Sequence, residues 1–211
     1  MKQMLLSLLA VWSMAAVAAT KPTPYQFFSP SRYADVKISP GGDYLAVTSM
    51  EGEDARLVIY KLPERTTTYS STLGDRVEID EMVWASDEYM LLLPARRFFG
   101  DVKGRTSEMH SINARTGKIE RLIGGGIADL LPDDPKHIII YGRVGDDPYS
   151  EVFRVDITNG VSRRLMTGPT PRGGFLADAE GNIVFGTGVS SANAFQVHRK
   201  VGQKWELVSS T

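Results

Sequence analysis

The sequence predicts an all-β protein: a β-propeller of about four WD40-like, four-stranded blades that form an incomplete, open ring. A hairpin signal returns four times, and no ten-residue segment beyond the first 19 residues has clear helical periodicity. With Gly42, Asp87, Pro135 and Gly181 as turn markers, the steps between copies are 45, 48 and 46 residues. Four strands in each such period is the spacing of propeller blades.

The first copy of the hairpin is the clearest. Residues 35–47, DVKISPGGDYLAV, are two short alternating apolar runs around a Ser-Pro-Gly-Gly-Asp turn. Pro40 presets the backbone dihedral at the first corner of the turn, and Gly42 accepts a left-handed conformation. This pattern predicts a β-hairpin.

Looser copies follow, and each continues into a second strand pair. The second copy pairs residues 81–84 with 89–93, the third pairs 128–131 with 137–141, and the fourth pairs 175–176 with 183–185. After a lead-in segment at 20–34, the predicted propeller occupies residues 35–211, with blades at about 35–73, 77–123, 127–168 and 172–211.

The amino terminus has the pattern of an export signal. Lys2 precedes an uncharged apolar run over residues 4–17, which is too short to span a bilayer comfortably and ends in small residues. We expect a cleavable signal peptide at 1–19, with cleavage after Ala18 or Ala19. The chain contains no cysteine, which excludes disulfides and a lipid anchor on cysteine. The expected location is a bacterial periplasm.

Composition excludes two classes of partner. The formal net charge is -1, with 42% hydrophobic and 23% charged residues, which are ordinary values for a globular domain with a core. Lys and Arg form no block, so we expect no nucleic-acid partner and no membrane attachment after signal cleavage. The pairs Arg96-Arg97 and Arg163-Arg164 are interpreted as solvated strand ends.

The nearest approach to a catalytic motif is Gly188-Val-Ser190-Ser-Ala192, which differs by one residue from the G-x-S-x-G nucleophile elbow. That elbow requires a helix after the serine, whereas residues 195–198 alternate like a strand. No acid followed by a histidine comes after Ser190 in the order of a hydrolase triad. The segment is interpreted as a hairpin loop.

Other candidates have structural explanations. His110, His137 and His198 lie far apart in the sequence, as strand histidines rather than a metal cluster. Residues 178–182 lack the alternating ligands of a calcium loop, and no Lys-Ser/Thr follows Gly124-Gly125-Gly126 as in a phosphate loop. We therefore assign no catalytic, cofactor-binding or metal-binding residue and expect no cofactor.

Two groups of carboxylates leave a binding function open. Glu78, Asp80 and Glu81 form one group, and Asp146-Asp147 forms the other. Propeller loops can present acids to a cationic ligand such as a peptide amino terminus. The alternative interpretation is a solvated loop.

Five segments occur in an order that resembles a known family: FFSPSRYADVKISPGGDYLAV, VEIDEMVWASDEYMLLL, HIIIYG with EVFRVDITNG, FLADAEGNIVFGTG, and KWELV. From about Phe27 to Val208 the chain is similar to the amino-terminal propeller of exported prolyl-oligopeptidase-family serine peptidases, the dipeptidyl and acylaminoacyl peptidase group. It departs from the family at Gly41, where Asp is usual, and near Val184, where an Arg is common.

The resemblance implies a non-catalytic propeller segment that gates and docks short peptides for a carboxy-terminal α/β-hydrolase domain. That domain is not in this sequence, so whether the chain is itself an enzyme stays open. The expected partners are a peptide substrate or a protein, and the hydrolase domain if the chain is truncated. The alternative is a stand-alone periplasmic binding scaffold, similar to the propeller of TolB-type proteins.

Overall fold

The computed structural model describes residues 33–51, 54–74, 77–99, 102–105 and 108–211. The predicted signal peptide at 1–19 and almost all of the lead-in segment lie outside these residues. All the regular secondary structure within them is β-strand, arranged in four antiparallel sheets. No helix in this part of the chain is long and apolar enough to cross a membrane.

Each sheet is built from strands that follow one another along the chain, and we call the sheets blades 1 to 4. Blade 1 contains β1 (Tyr33–Ile38), β2 (Tyr44–Glu51), β3 (Asp54–Lys61) and β4 (Thr66–Thr72). Blade 2 contains β5 (Val77–Trp84), β6 (Tyr89–Phe99), β7 (Val102–Arg105), β8 (Glu108–Asn113) and β9 (Ile119–Ile123).

Blades 3 and 4 have four strands each. Blade 3 contains β10 (Gly126–Asp129), β11 (His137–Gly142), β12 (Tyr149–Asp156) and β13 (Ser162–Pro171). Blade 4 contains β14 (Gly174–Ala177), β15 (Ile183–Val189), β16 (Phe195–Val201) and β17 (Lys204–Ser210). The predicted all-β propeller of about four blades is confirmed.

Two details differ from the prediction. Blade 2 has a fifth strand, because β6 continues past its partner β8 and pairs with β7 to extend the hairpin. The first strand of blade 3 ends at Asp129 rather than at Leu131. It ends there because the Asp129 carboxylate accepts a hydrogen bond from the Leu131 amide at 2.6 Å, and Leu131 itself has a positive φ of 51°.

Three apolar clusters join neighbouring blades in series. The cluster between blades 1 and 2 is formed by Tyr44, Ala46, Leu57, Ile59, Met82, Trp84, Met90, Leu92, Ile112 and Ala114. The cluster between blades 2 and 3 contains Leu91, Leu93, Met109, Ile138, Ile140, Phe153 and Val155, and the cluster between blades 3 and 4 contains Ile139, Val152, Phe175 and Ile183. No comparable cluster joins blade 4 to blade 1 among the described residues, so the four described blades do not close into a ring.

The run Met90-Leu91-Leu92-Leu93 shows why the strands of the inner blades are apolar throughout. Successive side chains of a strand point to opposite faces of its sheet. Met90 and Leu92 therefore pack against blade 1, whereas Leu91 and Leu93 pack against blade 3. A sheet that is covered on both faces needs apolar residues on both.

A second kind of contact between blades recurs at the turns of the second hairpins. The second hairpins of blades 1, 2 and 3 close with four-residue turns, and the last turn residue has positive φ: Arg65, Gly117 and Gly160. A Cβ on Gly117 would lie 3.1 Å from the Thr68 carbonyl oxygen, and one on Gly160 would lie 2.8 Å from that of Arg121. The turns of blades 2 and 3 therefore pack on the last strand of the preceding blade, at a distance that favours glycine.

Candidate functional site

The first strands of the blades carry the most notable charge pattern. β1 lies beside β5, and β10 lies beside β14. In a propeller the strands that converge in this way are the ones nearest the central axis. The four first strands together carry five carboxylates and one lysine: Asp35, Glu78, Asp80, Glu81, Asp129 and Lys37. We call this set the acidic axial strip.

The structure places the first predicted carboxylate group in this strip. Glu78, Asp80 and Glu81 lie on β5, with Asp80 at an irregularity in the pairing between β5 and β6. Asp35 and Asp129 join them from β1 and β10. These two residues were not predicted as part of a group, although each lies in the first strand of a predicted repeat, which was the available signal.

The hydrogen bonds of Asp35 and Asp129 are local. The Asp35 carboxylate accepts a hydrogen bond from the Val36 amide at 2.8 Å and lies 3.8 Å from the Lys37 ammonium. The Asp129 carboxylate accepts the Leu131 amide described above. Carboxylates grouped on neighbouring strands attract cationic groups, and the attraction weakens as salt is raised.

The second predicted group, Asp146-Asp147, does not belong to the strip. It lies in the exposed loop between β11 and β12, where the Asp147 carboxylate accepts a hydrogen bond from the Tyr149 amide at 2.9 Å. That bond holds the loop at the start of β12.

Ser190 lies in the turn between β15 and β16. Its hydroxyl oxygen accepts a hydrogen bond from the Ala194 amide at 3.2 Å, and its own amide donates to the Ala194 carbonyl at 2.9 Å. Asn193 adopts a positive φ of 59° to close the turn. A strand follows, so the serine lies in a hairpin turn and not between a strand and a helix.

The three histidines lie in three different blades. His137 Nδ1 is 3.0 Å from both carboxylate oxygens of Asp134, which also accepts a hydrogen bond from Arg154. The hydrogen bond with His137 lowers the pKa of Asp134. His110 is partly buried in β8, and burial lowers its pKa. Nδ1 of His198 is buried and has no hydrogen-bond partner within the described part of the chain.

The two remaining loop candidates have local structural roles. The Asp178 carboxylate accepts hydrogen bonds from the Asn182 amide at 2.8 Å and the Glu180 amide at 3.1 Å, and the bond from Asn182 lowers the pKa of Asp178. At the connection between blades 2 and 3, a Cβ on Gly125 would lie 2.2 Å from the Tyr141 carbonyl oxygen. Among the described residues, no three His, Cys, Asp or Glu side chains are placed to hold a metal ion.

A groove lies at the end of the propeller where the first hairpins turn. It has a volume of about 310 Å³ and is formed by turns of blades 1, 2 and 3. Its lining is mainly apolar and includes one carboxylate: Pro40, Trp84, Asp87, Leu130, Pro132 and Pro135. We call it the turn groove.

Comparison with known proteins supports the fold class and no narrower group. No protein-family model matches the chain, and no curated protein sequence matches it. Among solved structures, an oligogalacturonate lyase in complex with manganese aligns with a TM-score of 0.53 and 12% identity, over 86% of this chain and 55% of the lyase.

Two further solved structures are similar to the chain. TolB from Acinetobacter baumannii aligns with a TM-score of 0.47 and 16% identity, over 85% of this chain and 44% of TolB. An acylaminoacyl peptidase from Pyrococcus horikoshii aligns with a TM-score of 0.44 and 13% identity, over 81% of this chain and 28% of the peptidase. The chain thus spans between a quarter and just over half of the length of these proteins. The class defined by the fold is the β-propeller.

Proposed function

We propose that the chain is a non-catalytic propeller segment of a periplasmic prolyl-oligopeptidase-like serine peptidase, which gates and docks short peptides. The acidic axial strip carries this proposal, because a peptide with a free amino terminus brings a positive charge to the axis. The sequence motifs quoted above support the family. The α/β-hydrolase domain that would cleave the docked peptide is part of the proposal.

The test compares two triple variants of the full chain that lose the same charge. The strip variant carries Glu78→Gln, Asp80→Asn and Glu81→Gln. The control carries Glu64→Gln, Asp133→Asn and Glu180→Gln, at exposed turns outside the first strands. Binding of a labelled tripeptide is measured by fluorescence anisotropy, with free and with acetylated amino termini.

We expect the strip variant and acetylation each to weaken binding about tenfold or more, while the control variant binds as the wild type does. Raising the salt concentration should weaken only binding of the free-amine peptide. Equal binding of the two peptides would reject the amino terminus as the docked group. The chain should not hydrolyse dipeptidyl or acyl-aminoacyl chromogenic substrates; hydrolysis that Ser190→Ala abolishes would contradict the non-catalytic assignment.

The turn groove favours a second candidate, a stand-alone periplasmic scaffold of TolB-like type that binds a protein. A groove lined by prolines, a tryptophan and a leucine can accept an extended segment of a partner by apolar contact. Under this function Leu130→Glu would abolish binding of the partner, whereas the strip variant and amino-terminal acetylation would have no effect. Under the peptide-docking function, by contrast, the strip variant and acetylation weaken binding.

A further inference from the structure

A cavity between blades 1 and 2 lies beside the acidic axial strip. Its volume is about 290 Å³, and it lies at the opposite end of the strands from the turn groove. Glu78, a carboxylate of the strip, is the only charged residue among the described residues that line it. We call this cavity the strip pocket; its main walls are Ala34, Thr48, Met50 and Ala55 of blade 1 with Glu78 and Ile79 of blade 2.

The strip pocket exists because blade 1 has a small side chain where the next two blades have large ones. The strand registers place Thr48 in blade 1, Leu93 in blade 2 and Tyr141 in blade 3 at one equivalent position. Leu93 packs in the interface between blades 2 and 3, and Tyr141 packs in the interface between blades 3 and 4. The small side chains of Ala34 and Ala55 enlarge the space further. A side chain of the protein fills this position in the other two interfaces, whereas the interface between blades 1 and 2 leaves room for a ligand.

The hydroxyl group on the wall of the pocket already has its hydrogen bonds within blade 1. Thr48 Oγ1 accepts a hydrogen bond from the Asp35 amide at 2.9 Å and donates one to the Asp35 carbonyl oxygen at 3.4 Å. Thr48 therefore needs no polar partner from a ligand. The side chains of Met50, Ala55 and Ile79 add carbon and sulfur atoms to the wall. A cavity with this lining and one charge at its side favours an apolar group that is attached to a cation.

The amino-terminal residue of a peptide has this combination of groups, because its ammonium and its side chain are attached to the same Cα. An ammonium beside Glu78 therefore places the side chain at the strip pocket. A carboxylate has two oxygens with about four lone-pair sites, so Glu78 can accept a hydrogen bond from the ammonium in addition to its other contacts. An apolar cavity of about 150 Å³ is large enough to bind benzene. The strip pocket thus has room for one apolar side chain of any common size.

We propose that the strip pocket receives the side chain of the first residue of the docked peptide, and that it selects peptides with a free amino terminus and a large apolar first residue. The inference rests on the proposed function and specifies the class of its ligand. A first residue of glycine leaves the pocket empty. A first residue of aspartate brings a negative charge next to Glu78 and to Asp35, which pairs with Thr48 of the pocket wall.

The experiment measures binding of three tripeptides to the full chain by fluorescence anisotropy. The peptides are Leu-Ala-Ala, Gly-Ala-Ala and Asp-Ala-Ala, each labelled at its carboxyl end, and a fourth is Leu-Ala-Ala with an acetylated amino terminus. We expect the leucine peptide to bind about tenfold more tightly than the glycine peptide, because its side chain fills an apolar pocket. The aspartate peptide should bind more weakly than the glycine peptide, since like charges repel.

Two variants that fill the pocket connect this preference to its walls. Ala34→Leu fills the pocket from an exposed position, so the apolar core is unchanged, and Ala55→Leu fills it from a buried wall. Each should reduce the preference for the leucine peptide over the glycine peptide to less than about threefold and leave binding of the glycine peptide unchanged. Ala179→Leu, at an exposed turn of blade 4, is the matched control and should keep the full preference. Circular dichroism checks the β-structure of each variant, and Ala34→Leu decides the result if Ala55→Leu fails to fold.

The outcomes separate this inference from the proposed function. Binding that needs the free amino terminus but shows no preference for leucine would overturn the role of the strip pocket and leave the proposed function intact. A preference for leucine that Ala34→Leu does not reduce would have the same consequence, because the side chain would then bind elsewhere. Equal binding of the free and acetylated leucine peptides would instead reject the proposed function, and this inference with it.

Discussion

The indole Nε1 of Trp84 donates a hydrogen bond to the Lys37 carbonyl oxygen at 3.2 Å, across the boundary between blades 2 and 1. The same indole stacks near Tyr44, with ring centroids 6.4 Å apart. A few residues further on, the Asp87 carboxylate accepts a hydrogen bond from the Gly41 amide at 2.5 Å. One end of the hairpin of blade 1 is thus held by polar contacts from blade 2 as well as by apolar packing.

Trp84→Phe tests this contact. It leaves the Lys37 carbonyl without its donor at a site that is mostly closed to water, so we expect a loss of about 1–3 kcal/mol in the free energy of unfolding. Trp205→Phe is the matched variant, because Trp205 Nε1 donates to the Thr167 carbonyl at 3.1 Å in an exposed setting where water can replace it. Trp205→Phe should lower the free energy of unfolding by less than half as much as Trp84→Phe does. Urea denaturation measures both, and equal losses would contradict this account.

Gly160 is expected to tolerate alanine much less well than Gly42 does. Both glycines have positive φ, of 76° and 80°, so alanine costs about 1–2 kcal/mol at each. Only Gly160 also faces a neighbouring blade, whose Arg121 carbonyl oxygen would lie 2.8 Å from the new Cβ. Gly160→Ala should therefore cost about 1–3 kcal/mol more than Gly42→Ala in urea denaturation. A smaller loss at Gly160 would contradict the close packing of blades.

Asn113 begins the second turn of blade 2 and holds it through its side chain. Its Oδ1 accepts hydrogen bonds from the amides of Arg115 at 3.1 Å and Thr116 at 2.9 Å. In blade 3 an aspartate serves the same role, since Asp156 Oδ1 accepts the Thr158 amide at 2.8 Å. We expect Asn113→Ala to cost about 1–3 kcal/mol and Asn113→Asp to cost much less. Thermal unfolding of the two variants would show the difference, and similar losses would contradict it.

The stability of blade 3 should fall in acid through Asp134. The hydrogen bond with His137 holds the pKa of Asp134 below its ordinary value, with a further contribution from Arg154. The folded state therefore binds a proton at Asp134 less readily than the unfolded state does. The stabilisation is complete above the unfolded pKa of about 4 and is lost as the pH falls through the lower folded pKa.

Asp134→Asn should reduce the change in melting temperature between pH 6 and pH 3. Asp133→Asn removes the same charge at the neighbouring exposed position and is the control. The two variants are compared by differential scanning fluorimetry. An equal reduction in both variants would show that the loss of one negative charge causes the pH dependence, and that the contact of Asp134 with His137 and Arg154 does not.

The repeat could be recognised from the sequence because it depends on short-range chemistry. Turn residues such as Pro40 and Gly42 restrict the backbone within a few residues, and alternation of apolar residues marks each strand. The all-β class, the four units and their strand pairs follow from those local signals. β7 was not predicted, although Gly100-Asp101 between two apolar residues is a two-residue turn signal that was available. β10 ends early because of a hydrogen bond within its own turn.

The grouping of charges and the burial of strand faces depend on long-range contacts. Asp35 and Glu78 are 43 residues apart in the sequence, and only the contact between β1 and β5 brings their strands together. Ile38 and Trp84 occupy equivalent positions in similar hairpins, yet one is exposed and the other is buried. The sequence by itself determined the blades, since a blade forms by local pairing. The tertiary structure decided which faces are covered, because burial depends on the neighbouring blade.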